Sequence, residues 1–287
     1  MTDTAPLAQS DTPTPPLVHE TAEFATRIDG AGIATMVLRK KTMGPEFFSE
    51  FETHLDFLEN ADLRCVIVRG ADPKALSYGL DLPRAFGAWG ELFRGSTTAL
   101  PRRRLLHLIE KLQRPFNRLF ALRVPTICAI SGHCIGGGLD LASACDIRLA
   151  SKDANISLRE TRIAIVADLG SLQRLPPIIG QGRTRELAFT ARDVTAEEAL
   201  AMNLVNAVHP DADALFAAAQ TMAEQIAANA PLTVEGVKVV LNRQVAAAIA
   251  DGLDHVGTWN AAFLASEDLG EAASAFASRR PPRFKGR

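Results

Sequence analysis

Three stretches of this chain combine residue types that can handle protons or negative charge. In residues 129–148 (AISGHCIGGGLDLASACDIR), an apolar run enters Gly136, Gly137 and Gly138 and passes into a helical pattern from about Leu139. Glycines at a strand-to-helix turn let another group approach the backbone, and they leave N–H groups at the positive end of a helix. Such groups bind an anion or stabilise an oxyanion, although a tight turn that needs glycine only for packing looks the same. The register fits neither G-x-G-x-x-G nor a P-loop, because no lysine follows. In residues 76–82 (LSYGLDL), Gly79 stands just before Leu80, where a second backbone donor could come from.

The third stretch, residues 154–175 (ANISLRETRIAIVADLGSLQRL), sets Glu160 and Asp168 among apolar neighbours, as Asp140 is set after the glycines. A carboxylate in such surroundings is costly unless paired or used, and burial lifts its pKa toward values useful for proton transfer. Structural explanations stand beside this one. Asp140 could cap a helix, Glu160 could pair with Arg159 or Arg162, and Asp168 could be the N-cap of a helix beginning at Leu169. Asp146, close to Arg148, reads as structural, and His133 as a turn residue packed near the glycines.

These residues need a scaffold, and the pattern supplies one of the α/β class. Short β-branched runs predict strands at 33–38, 65–69, 126–131, 146–150 and 205–209. Phe47, Phe48, Phe51, Leu55 and Leu58 recur at helical spacing and predict a helix over 45–59 with a core face. From about Ala212 the strand signals stop, and helical segments follow at 212–228, 232–250, 255–264 and around 271–278. Gly, Ser, Thr and Pro101 interrupt residues 87–104, which read as a mobile loop beside a site. No internal repeat is legible. The organisation expected is a flexible lead-in (1–22), an α/β core (23–211) and a helical C-terminal part (212–287).

Composition narrows the function classes. The 287 residues are 47% hydrophobic, enough for a sizeable core, and the net charge of −2 gives no basic surface for nucleic acid or membrane. No apolar run approaches the roughly 20 residues that span a bilayer. Cys65, Cys128, Cys134 and Cys145 lack metal-ligand spacing and read as buried free thiols, so no metal is expected. The first twenty residues lack an apolar stretch and arginine, and the RFKGR ending matches no peroxisomal address, so a cytoplasmic location is expected.

The segment AISGHCIGGGLDLASACDIRLAS resembles the signature of the crotonase (enoyl-CoA hydratase/isomerase) superfamily. LSYGLDL resembles its oxyanion segment, SLRETRIAIVADLGSLQRLPPIIG the stretch that follows, and SED…RRPPRFKGR its usual ending. The resemblance runs from about Glu23 to the C-terminus. It implies a spiral of ββα units with a helical trimerisation region, a homotrimer or hexamer, and an acyl-CoA substrate whose coenzyme A is part of the substrate, with no cofactor besides. It also implies an oxyanion hole from the N–H groups of Leu80 and Gly137, with Tyr78, Gly79 and Asp81 beside it. Arg39 and Lys41 could meet CoA phosphates, or form a solvated basic run.

Two positions depart from the family: Tyr78 replaces a small residue, and RKKTMGPEF lacks the usual N-R-P…N-A motif. Hydratases carry glutamates at the positions of Asp140 and Glu160. Here the first is aspartate, and Asp168 adds a third acid, a set that resembles the dienoyl-CoA isomerase branch. That resemblance implies Glu160 at C2 of a dienoyl thioester, Asp168 at C6, and Asp140 orienting or tuning them. The alternatives are a 2-enoyl-CoA hydratase using Asp140 and Glu160, and a catalytically silent binding protein.

Overall fold

A computed structural model describes residues 16–93 and 98–287. The chain opens with β1 (Leu17–Glu20), β2 (Phe24–Ile28), β3 (Ile33–Leu38), α1 (Pro45–Glu59), β4 (Cys65–Gly70), β5 (Ala75–Ser77), α2 (Leu82–Phe93) and α3 (Ala99–Ala121). It continues through β6 (Thr126–Ile130), β7 (His133–Ile135), α4 (Gly137–Ala144), β8 (Ile147–Ser151), β9 (Asn155–Ser157) and a 3-10 turn, Glu160–Ile163. Then follow α5 (Ser171–Ile179), α6 (Gln181–Thr190), β10 (Val194–Thr195), α7 (Ala196–Ala201) and β11 (Ala207–His209). Four helices close the chain: α8 (Ala212–Ala227), α9 (Pro231–Arg243), α10 (Ala246–Phe263) and α11 (Glu267–Ala277).

Among the described residues the strands form two sheets, ordered β1-β2-β3-β4-β6-β8-β11 and β10-β9-β7-β5. The first is parallel from β3 to β11, and β5, β7 and β9 run parallel in the second. Each of β4, β6 and β8 is followed within a few residues by its mate in the second sheet and then by a helix. These are three turns of the ββα spiral that the family resemblance implies. No repeat was legible because β5, β7 and β9 are three residues long, too short for a periodic signal.

The central strands read as unbroken apolar runs because both faces of the first sheet are covered. Ala34, Met36, Leu38, Val66 and Val68 face the main core with Phe47, Phe51 and Leu55 of α1. Ile33, Cys65, Ile67, Ile127 and Leu149 face the other way, onto Leu215, Ala219 and Ala223. Those three, spaced four apart on α8, make α8 a cover for the sheet; the sequence reading had placed it with the C-terminal helical part. All four cysteines are free and buried. Asp146 is structural, accepting from Thr126 N–H (2.7 Å) and from Lys238 Nζ (2.7 Å).

Three expectations need correction. Residues 1–15 of the expected lead-in lie outside the described residues, but Leu17–Glu20 pairs with β2 as β1. The loop expected at 87–104 is largely helix: α2 runs to Phe93 and α3 starts at Ala99, while 94–97 lie outside the described residues. Gly87 and Gly90 have open space around them in α2, and Pro101 sits in the first turn of α3, where its missing N–H has no helical partner to lose. The segment 232–250 is not one helix but two, broken between Arg243 and Ala246.

Candidate active site

The C-terminal ends of β5, β7 and β9 converge, and each delivers one part of a site. After β5, Gly79 adopts φ +81°; after β7, Gly136 adopts φ +52°, conformations in which a Cβ is strained. The two turns also touch: a Cβ on Gly79 would stand 2.7 Å from Ile135 O and 3.0 Å from Gly137 N. Gly79 O accepts from Met43 N–H (2.8 Å), and Met43 O accepts from Asp81 N–H (3.0 Å), which locks the first turn. Gly136 N–H donates to Ser157 O (2.9 Å) and fixes the second. Between these used groups, the N–H of Leu80 and of Gly137 meet no acceptor among the described residues. A Cβ on Gly137 would lie 3.8 Å from Leu80 N, so the two donors are close neighbours. Gly137 is the first residue of α4, two positions ahead of the helical start read from sequence, so its N–H also carries the positive end of that helix.

Three carboxyl groups share this site. Glu160 follows β9, and its Oε1 would lie 3.0 Å from a Cβ on Gly136. Its Oε2 is buried with no hydrogen-bond partner among the described residues. Asp140, one turn into α4 and 1% exposed, accepts from Ser171 N–H at 2.6 Å through Oδ1. It thus caps α5, not its own helix, and lies near the buried guanidinium of Arg174. Arg174 in turn donates to Leu169 O (3.2 Å) and Asn117 Oδ1 (2.6 Å). Asp168 Oδ2 accepts from Asn260 Nδ2 (2.7 Å), and its main-chain oxygen accepts from Gln113 Nε2 (2.8 Å). Asn260 also donates to Val166 O (2.8 Å), so α10 holds the loop on both sides of Ala167.

Of the structural explanations, only the capping role of Asp140 holds, and for a different helix. Among the described ion pairs none joins Glu160 to Arg159 or Arg162; Arg159 pairs with Asp193 instead. Helix α5 starts at Ser171 with Gly170 in the N-cap position, so Asp168 caps nothing. All three carboxyls are pushed above their ordinary range, chiefly by burial. Asp140 rises to about 6, restrained by the Ser171 hydrogen bonds and Arg174. Glu160 rises to about 8, with repulsion from Asp140 and Asp168 added. Asp168 rises to about 7 even though the Asn260 hydrogen bond favours its ionised form. Groups this close in one desolvated site lose their protons as a set.

Donors and carboxyls open into one cavity of about 700 Å³, lined by Gly79, Leu80, Gly137, Asp140, Glu160 and Asp168 among others. Tyr78 and Asp81 also line it. Tyr78 packs its ring on His133 (centroids 5.0 Å), which lies in β7 and not in a turn. Asp81 accepts from Thr42 Oγ1 (3.2 Å) and from Arg84 N–H (3.2 Å) at the start of α2. Arg39 and Lys41 are not part of the lining. Arg39 is drawn to Glu20 (3.1 Å) and Lys41 to Asp72 (2.5 Å), ion pairs that use their charges away from the cavity. The sequence reading missed Asn260, Gln113 and Arg174. Asn260 carries the one usable signal, a lone amide in an otherwise apolar stretch of α10.

The family model described as enoyl-CoA hydratase/isomerase matches residues 29–287. The Delta(3,5)-Delta(2,4)-dienoyl-CoA isomerase, mitochondrial, of Dictyostelium discoideum is 41% identical, over 90% of this chain and 89% of its own. The peroxisomal protein of that name from Arabidopsis thaliana is 42% identical, over 93% and 97%. Among solved structures, an enoyl-CoA hydratase from Bacillus anthracis superposes with a TM-score of 0.67 at 28% identity, covering 96% of this chain and all of that one. One from Mycobacterium avium subsp. paratuberculosis reaches a TM-score of 0.77 at 21% identity over 93% of this chain and 100% of that one, a likeness of fold. The mitochondrial and peroxisomal names of the relatives overturn the expected cytoplasmic location. With the ββα spiral, the paired donors and a match across most of its length, this chain belongs to the enoyl-CoA hydratase/isomerase family, enzymes of the crotonase superfamily.

Proposed function

We propose that the enzyme converts a 3,5-dienoyl-CoA into the 2,4-dienoyl-CoA by moving a proton from C2 to C6. The observation that carries this reading is the third carboxyl, Asp168, which lines the same cavity as Glu160 and Asp140. The names of the relatives support it as well. Hydration of a 2-enoyl thioester needs acid–base groups only around C2 and C3. A transfer over five atoms needs them spread along the acyl chain.

In this reading the thioester oxygen rests between the N–H groups of Leu80 and Gly137. Removing the C2 proton spreads negative charge over an extended dienolate, partly onto that oxygen. Losing one preorganised donor to such a charge typically costs about 3–4 kcal/mol. Glu160 takes the proton at C2 and Asp168 delivers one at C6. The step requires Glu160 ionised and Asp168 protonated together. With Glu160 lifted to about 8 and Asp168 to about 7, the free site holds its proton on Glu160, so the reactive form is the minority arrangement of the same protons, reached by passing one within the set. Asp140 acts through its charge, raising the pKa of both partners. The chemistry is proton transfer alone and calls for no metal or redox group. The partners in this reading are the acyl-CoA and further copies of the chain, in a homotrimer or hexamer.

The second reading, a 2-enoyl-CoA hydratase, is favoured by the names of the structural neighbours. Ultraviolet absorbance separates the two, because forming a conjugated 2,4-dienoyl thioester and hydrating a 2-enoyl one change the spectrum in opposite senses. Asp168→Asn keeps the shape and removes the relay, so isomerisation should fall roughly 10²–10⁴-fold while any hydration survives. Hydration collapsing while isomerisation persists would replace this reading with the hydratase.

A further inference from the structure

Helix α5 begins at Ser171, whose N–H donates to Asp140 Oδ1 at 2.6 Å. Arg174 stands one turn on and is 2% exposed. Side chains on a helix lean toward its N-terminus, and Arg174 leans so far that a Cβ on Gly170 would collide with its Nη1. Gly170, at φ +128°, thus leaves the space in which the guanidinium lies beside the helix start. There Nη1 donates to Leu169 O (3.2 Å) and Nη2 to Asn117 Oδ1 (2.6 Å), while Cζ sits 5.5 Å from the ring centroid of Phe120. Both acceptors are neutral, and Nε has no partner among the described residues. A buried guanidinium bonded to neutral oxygens is costly, and uncharged donors would serve those oxygens as well. The charge itself needs a use, and the carboxyl it acts on is Asp140. Asp140 also faces Glu160, Asp168 and the Cys134 thiol of β7, which burial keeps neutral, and Cys145 faces Arg174. Arg159 and Arg162 line the cavity as well, Arg159 being paired with Asp193.

Resting on the acid roles proposed above, we infer that Arg174 is a positioning residue of the reaction: its guanidinium holds Asp140 as the fixed anion of the three acids, which leaves the movable protons to Glu160 and Asp168. Arg174 does not line the cavity, so it acts through Asp140 and not on the substrate. Burial lowers its own pKa to about 10, which still leaves it charged at neutral pH. With the guanidinium and the Ser171 N–H in place, Asp140 loses its proton at about 6, the lowest of the three, and its charge then raises Glu160 and Asp168. Without the guanidinium, burial acts on Asp140 with only Ser171 to oppose it. Asp140 then keeps a proton near neutrality, and a proton held there serves neither C2 nor C6. The glycine at position 170 belongs to the same device, because a side chain there would displace the cation from the helix start.

The test follows the Asp140 carboxyl by carbon-13 magnetic resonance in the full chain labelled at the aspartate side-chain carboxyl, its line assigned by loss in Asp140→Asn. Arg174→Met removes the charge, and Arg174→Lys keeps it. A nearby opposite charge typically lowers a carboxyl by about 1–3 pH units. Asp140 should therefore titrate at least about one unit higher in Arg174→Met and return toward the parent value in Arg174→Lys. Turnover should follow: kcat at about pH 7 should fall roughly tenfold in Arg174→Met, with KM unchanged, and recover in Arg174→Lys. If thermal melting shows Arg174→Met misfolded, Asn117→Asp sets a carboxylate against Nη2 in the same shape and should raise Asp140 in the same sense. An Asp140 titration that stays in place in the folded variant would overturn the inference, as would equal shifts in Arg174→Met and Arg174→Lys. The titration needs no turnover, so the two readings fail separately. A missing isomerase signal with Asp140 shifted removes the isomerase reading and keeps the hold of Arg174 on Asp140. An unmoved titration with isomerisation present removes the role of Arg174.

Discussion

Glu160 brings an unsatisfied polar atom to the site, a buried Oε2 without a hydrogen-bond partner among the described residues. Ionising it there is unfavourable, which is why burial and the charges of Asp140 and Asp168 lift it to about 8. The consequence for stability has a definite sign. Between an ordinary glutamate pKa and the raised one, the folded chain keeps a proton that the unfolded chain releases. Stability is therefore fully present below about pH 4.5 and is lost as the pH climbs through about 8. Glu160→Gln removes the ionisation and should melt higher than the parent at pH 9, by at least about 1 kcal/mol, one pKa unit being worth 1.36 kcal/mol. At pH 4 the two should melt alike. Parallel melting curves from pH 4 to 9 would show that this carboxyl carries no such load. The same substitution should abolish turnover, so stability and activity move in opposite directions at this residue.

At the scale of elements, helix α10 reaches the chemistry through Asn260 and so acts as a positioning element. Its amide favours the ionised form of Asp168, and hydrogen bonds to charged groups are worth about 1.5–3 kcal/mol. Asn260→Ala should move the bell-shaped kcat profile toward higher pH, by up to about one unit, because Asp168 then holds its proton more firmly and the limbs belong to the coupled set. Turnover should drop because the Asp168 loop loses its anchor. An unmoved profile would reduce Asn260 to a packing residue. This anchor also shows where sequence reading stops. The three acids were legible because charge stands out in apolar runs, and α1 and β3 were legible because their burial is periodic or continuous over many residues. Asn260 lies 92 positions from Asp168 and Gln113 lies 55 away; only folding makes them neighbours. The strands β5, β7 and β9 were invisible for the opposite reason, since three residues carry no period. The ion pairs of Arg39 and Lys41 were hidden for the same reason as Asn260, because their acidic partners, Glu20 and Asp72, are joined to them only by the fold.

At the scale of the molecule, the C-terminal helices leave apolar surface uncovered. On α9, Leu232 is 82% exposed and Val240 65%, with Val237 and Leu241 also outward. Contiguous apolar surface of this kind is typical of an interface, which fits the proposed trimer or hexamer. Sedimentation equilibrium at micromolar concentration should give three or six times the chain mass of 30.8 kDa, and a stable monomer would remove that part of the account. The central claim is that two carboxyls on one loop work at opposite ends of a diene. Deuterium exchange tests it most directly. In heavy water, Asp168→Asn should still wash deuterium into C2 of a 3,5-dienoyl-CoA, because Glu160 remains. Its conversion to product should fall roughly 10²–10⁴-fold. Glu160→Gln should do neither. Exchange at C2 that survives in Glu160→Gln and disappears in Asp168→Asn would contradict the assignment.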